Sequence, residues 1–178
     1  MYSEVYTLSH NPGWEKLKST KNRQSRGHKL VLENGFWCKH CGAYVYTLPG
    51  SSGVQNRNHC PFCLWSRHVD HFQAGDRLSA CKAIMQPIGL TLKQTRNKYA
   101  CCSIGELMLI HRCRDCGKLS INRIAADDQA ELVTRIYRAS LNLDETTRQH
   151  LVDADIRPLV DTDESIVVSQ LYGLLNLD

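Results

Sequence analysis

The sequence predicts an α+β protein: a small β-hairpin core organised by cysteine knuckles, then a short α-helical C-terminal extension. Three observations predict it. Cysteines recur as Cys-x2-Cys pairs at Cys38/Cys41, Cys60/Cys63 and Cys113/Cys116. Between Leu30 and Ala126, short β-like pieces alternate with turns. After Asp127 the apolar residues fall at helical spacing. At 178 residues, with 42 % apolar and only 7 % aromatic side chains, the chain has a modest core, poorer than that of a typical metabolic enzyme domain.

The elements follow in order. Residues 16–29 carry six cations (Lys16, Lys18, Lys21, Arg23, Arg26 and Lys29), no acid and one large apolar side chain. With no 2 or 3.6 periodicity, this stretch reads as an exposed arm within a basic N-terminal segment, 1–34. Met1–Tyr6 lacks a basic segment followed by an apolar one, and no run of 18 apolar residues occurs. No membrane partner is expected, and a cytoplasmic location is.

Residues 35–126 form the central segment. Tyr44–Leu48 has β-branched and aromatic character and is broken by Pro49-Gly50-Ser51-Ser52-Gly53. Glu106–Arg112 predicts a strand leading into Cys113. Gly42 and Gly117 each follow a knuckle's second cysteine, where a turn with φ > 0 suits glycine. Residues 127–178 form a helical tail. Asp127 or Asp128 is expected to cap a helix carrying Leu132, Val133, Ile136, Tyr137 and Leu141. A second helix is expected over 144–153. A third starts near Asp163, with Val167, Leu171, Leu174 and Leu175 on one face.

Nine cysteines in a reducing compartment call for metal rather than disulfides. Cys38-x2-Cys41-x18-Cys60-x2-Cys63 has the spacing of a four-cysteine zinc site. Four thiolates close a tetrahedron and leave no open position, so such a site is structural and the core is zinc-ribbon-like. A second zinc site needs Cys113 and Cys116 plus two more ligands. Cys81 is the best third. For the fourth, His68 is favoured over His111, Cys101 and Cys102. A crossed arrangement, with Cys60/Cys63 joined to Cys113/Cys116, also satisfies the valences. Cys101 and Cys102, being adjacent, read as ordinary buried thiols. His59, beside the second knuckle, is expected to bond to the backbone or to a metal ligand.

The segment Arg57-Asn58-His59-Cys60-Pro61-Phe62-Cys63-Leu64-Trp65-Ser66-Arg67-His68-Val69-Asp70 resembles the bacterial RNHCP domain family, named for the pentapeptide at 57–61. The likeness continues through Gly75-Asp76-Arg77, Cys81, Met85-Gln86-Pro87, His111-Arg112-Cys113, Cys116-Gly117, Asn122-Arg123 and Asp127-Asp128. The resemblance implies a small zinc-binding module with no activity to carry over, and joins Cys81, Cys113 and Cys116 into one set with a histidine. Asn58 and Asp76 are expected to hold turns, while Arg57 and Arg67 are expected at the surface.

Charge supplies the functional expectation. Residues 1–126 hold 18 Lys and Arg against 7 Asp and Glu, a net +11; residues 127–178 hold 4 against 11, a net −7. A four-cysteine zinc site carries −2 and a Cys3His site −1, so the front stays clearly basic at +8. A basic front implies a polyanion: nucleic acid, RNA favoured over DNA, including the ribosome. The expected contacts are the six arm cations with Arg57, Arg67, Arg77, Arg112 and Arg114, interleaved with aromatic rings. Two other functions compete. One is a protein partner docking on the acidic helices. The other is an HNH-like metal-dependent nuclease built on His68-Val69-Asp70-His71, whose downstream Asn and His are missing apart from Asn97. No Gly-rich phosphate loop, nucleophile elbow or carboxylate pair supports another enzyme class, and no catalytic residue is assigned.

Overall fold

The computed structural model describes residues 35–94 and 105–173. The arm cations, Asn97, Cys101/Cys102 and Leu174/Leu175 lie outside the described residues. The fold is α+β, with two antiparallel sheets. The smaller sheet is the hairpin of β1 (Gly35–Trp37) and β2 (Tyr44–Tyr46), registered Gly35↔Tyr46 through Trp37↔Tyr44. The expected break after it is one helical turn, α1 (Pro49–Ser52), begun by proline and ended by Gly53 at φ +70.

The larger sheet has the order β3-β4-β5-β6: β3 (Ser66–Arg67), β4 (Ile84–Lys93), β5 (Glu106–Cys113) and β6 (Leu119–Arg123). β5 is the strand the sequence predicts. β4, the longest, is disguised by Pro87 and Gly89. Proline is tolerated there because β3 pairs only with Ile84 and Met85, leaving β4 an open edge beyond them, and the register shifts between Pro87 and Gly89. Farther along, residues from the tail cover that edge. Leu159 N–H donates to the Leu90 carbonyl at 2.9 Å, and the Thr91 hydroxyl donates to the Arg157 carbonyl at 2.7 Å.

The tail holds α2 (Ala130–Ser140), α3 (Glu145–Asp153) and, after a 3-10 turn at Asp161–Asp163, α4 (Glu164–Tyr172). Asp144 caps α3 by accepting the Thr147 N–H at 2.9 Å. The expected cap of α2 is corrected. Gln129 occupies that position with no side-chain bond, because Asp127 and Asp128 are engaged elsewhere. Val133 and Tyr137 of α2, Leu159 and Val167 bury themselves with Leu64, Leu90, Leu107 and Leu109. The helices therefore share the core of the larger sheet. Gly89 lets α2 lie close: a Cβ there would stand 3.0 Å from that of Ser140. Among the described residues, no helix is long and apolar enough to cross a membrane.

Candidate metal centres

Three knuckles share one backbone pattern. Gly42 N–H donates to the Cys38 carbonyl (3.0 Å), Leu64 to Cys60 (2.7 Å) and Gly117 to Cys113 (3.2 Å). Each knuckle's first cysteine donates in return to the carbonyl five residues on: Cys38 to Ala43, Cys60 to Trp65, Cys113 to Lys118. The fourth position after that cysteine takes positive φ each time: Gly42 at +76, Gly117 at +74 and, against steric preference, Leu64 at +59.

These turns aim the sulfurs inward. Cys38, Cys41, Cys60 and Cys63 form one cluster, and His68, Cys81, Cys113 and Cys116 another; within each, all donor atoms lie within 4.8 Å of one another. Cys38 and Cys63 sulfurs are 3.6 Å apart, Cys41 and Cys60 3.6 Å, and Cys81 and Cys113 3.7 Å. Tetrahedral thiolates around zinc stand about 3.8 Å apart, from Zn–S bonds of about 2.3 Å. His68 Nδ1 lies 3.3 Å from the Cys116 sulfur, close to the roughly 3.5 Å expected for mixed nitrogen and sulfur ligands. Both donor sets fit zinc. The seven described cysteines are all free thiols and all belong to these clusters.

Burial pushes the Cys60 thiol up to about 11 and raises Cys63 as well. A bound ion must displace those protons. Bonding to the Ala43 backbone instead lowers Cys41. Burial works against the Cys113 thiolate, but backbone bonds at Cys116 and Asp115 outweigh it and lower that pKa.

A family model, the RNHCP domain, matches residues 33–134, more than half the chain. The chain belongs to the RNHCP domain family. No curated protein and no solved structure matches it. In this RNHCP domain the fourth ligand of the second site is His68. His111 is ruled out by its own bonds: Nε2 donates to the Leu64 carbonyl at 2.7 Å, and Nδ1 accepts from Asn122 at 2.8 Å. The crossed pairing is also excluded, since Cys60 and Cys63 stand with Cys38 and Cys41.

Other expected site residues separate sharply. Arg57, expected at the surface, is buried. It grips Asp127 at 2.6 and 2.7 Å and Asp128 at 3.1 Å, and its Nε donates to the His59 carbonyl. His59 bonds through Nε2 to Asp128 at 2.8 Å, so its partner is a carboxylate and neither backbone nor ligand. Arg112 is half-buried and donates to the Thr147 hydroxyl of α3. Arg67, Arg77 and Arg114 are exposed; they bond to the Lys82 carbonyl, Asp70 and Gln86 respectively. Asp76 holds its turn as expected, accepting the N–H groups of His71, Phe72, Gln73 and Leu78, which hold its carboxyl well below the usual range. Asn58 differs: its carbonyl accepts the Ser66 hydroxyl, but its side-chain amide makes no hydrogen bond among the described residues.

Two parts of the HNH-like motif are already committed. His68 is a ligand, and Asp70 accepts the N–H groups of Gly75 and Arg77. What sequence reasoning missed was the partnership of Arg57 and His59 with Asp127 and Asp128, about 70 residues away. The only signal was that both pairs fall within the family resemblance.

Proposed function

We propose that this RNHCP domain is a non-catalytic zinc module that binds nucleic acid, RNA before DNA and including ribosomal RNA, through its basic front. Its hairpin and four-cysteine cluster read as zinc-ribbon-like. The observation that carries the reading is the charge around the second zinc site. Arg67, Lys82, Arg114 and Lys118 each stand within two residues of one of its ligands, and all four are exposed. A Cys3His zinc site offsets one of those charges and the exposed Asp115 another, which leaves a net +2. Exposed rings supply the second ingredient of single-strand binding: Trp37 is 62 % exposed, with Tyr46, Phe62 and Phe72 also outward. The arm cations at 16–29 add phosphate contacts that carry affinity without sequence information.

Filter binding of zinc-loaded protein to single-stranded RNA across a salt series tests this. Affinity is expected to fall steeply with salt, and deleting residues 16–29 to flatten that slope. Absence of RNA and DNA affinity at low salt overturns the proposal.

A further inference from the structure

Two hollows adjoin on the larger sheet, one of about 230 Å³ and one of about 500 Å³, and Asn58, Ala74, Ile121 and Asn122 line both. The first is flanked by the second zinc site through His68, with Arg67 and Lys118 on its wall. The second has Lys93 and Arg123 on its wall and His59 among its lining residues. Cations thus stand in both hollows, with amides between them.

Acidic groups are few, and Glu106, outside both hollows, pairs with Arg123 at 3.1 Å. Asp70 is the one carboxylate lining the first hollow, and its oxygens are taken by two backbone N–H groups; the second hollow has none. Hydrogen-bonding capacity, by contrast, is unspent. The Asn58 amide has no partner among the described residues. Asn122 uses only its Nδ2, on His111, leaving its oxygen available. His59 uses only Nε2, on Asp128, and its Nδ1 bonds to nothing among the described residues. At the lip, Phe72 is 85 % exposed, with the His71 ring edge-on at 4.1 Å.

Cations in excess of acids select a polyanion. Unpaired amides select groups with exposed donors and acceptors, and an open aromatic ring selects a flat heterocycle. Unpaired nucleotides combine all three, whereas a duplex pairs its Watson–Crick edges and stacks its base faces. The geometry points to this double hollow as a single-stranded RNA groove, with Arg67, Lys118 and Lys93 on phosphates and Asn58 and Asn122 on base edges. The assignment rests on the RNA-binding reading and gives it a location.

Fluorescence anisotropy of the full, zinc-loaded chain with a labelled single-stranded RNA decamer tests it. Asn58→Ala removes an amide that holds nothing, so its urea midpoint is expected to match the parent. Its affinity is expected to fall about threefold to tenfold at fixed salt, with the salt slope unchanged. Lys118→Ala is expected to lower that slope by about 0.7, one single-strand phosphate contact. RNA bound by Asn58→Ala and Lys118→Ala as tightly as by the parent overturns the groove and leaves the RNA-binding reading standing. No binding by the parent chain overturns both.

Discussion

His111 Nε2 donates to the carbonyl of Leu64 at 2.7 Å, and Leu64 holds φ at +59 where the other two knuckles have glycine. A left-handed leucine costs about 1–2 kcal/mol. Its side chain is fully buried in the main core, which outweighs that cost. Leu64 thus ties the four-cysteine knuckle to the larger sheet. Replacing it by glycine relieves the backbone and empties the core. The second effect is larger: Leu64→Gly is expected to destabilise by about 2–4 kcal/mol in urea unfolding, despite glycine's freedom at that φ.

His111 gives the fold a pH dependence. Burial pushes its pKa down to about 3, from an ordinary 6.5. A lowered pKa means the fold favours the neutral ring. That contribution is fully present above about 6.5 and is lost as pH falls toward 3. His111→Gln is therefore expected to lower stability at pH 7 and to flatten the decline between pH 6.5 and 4. Urea midpoints of parent and variant across that range check it; parallel curves contradict it.

Arg57 and Asp128 are paired with both side chains wholly enclosed, whereas Asp127 is 42 % exposed. Breaking one member of an enclosed pair strands the other charge. Arg57→Ala is expected to cost about 3–5 kcal/mol and Asp127→Ala about 1 kcal/mol or less. Equal losses in chemical denaturation would show that burial is not what sets the value of these contacts.

Two zinc ions per chain are expected by metal analysis, and one after Cys113→Ser. Cys60→Ser is expected to do more damage. The hairpin's own buried cluster is only Cys38, Val45 and Cys60, too small to fold unaided. Hydrogen exchange in Gly35–Tyr46 should then approach that of an unfolded chain. Because burial holds the Cys60 proton, zinc uptake should release protons, and acid should expel the metal.

Gly89→Ala tests the seating of α2. Its new Cβ would meet Ser140 at 3.0 Å and Ile110 at 3.7 Å, with both neighbours buried. A loss of about 1–3 kcal/mol is expected in thermal or urea unfolding. No loss would mean that α2 shifts freely.

Local rules were legible in the sequence. Cys-x2-Cys spacing named the first cluster, because a knuckle is built within a few residues and carries its own geometry. β5 and the three tail helices followed from periodicity, and the glycine turns at Gly42 and Gly117 from steric freedom. β4 stayed hidden because Pro87 is permitted only by where β3 ends, which no local pattern records.

The remaining decisions needed the folded chain. His68 and His111 are equally good ligands by type. Folding spends His111 on Leu64 and Asn122, and brings His68 to the sulfurs of Cys81, Cys113 and Cys116. Arg57 looked like a surface cation until Asp127 and Asp128 arrived from 70 residues away to enclose it. Sequence alone determined the zinc chemistry, since ligand type and short spacing are local properties. Only the tertiary structure decided which charges are buried and which remain free to meet a partner, since burial depends on segments far apart in the chain.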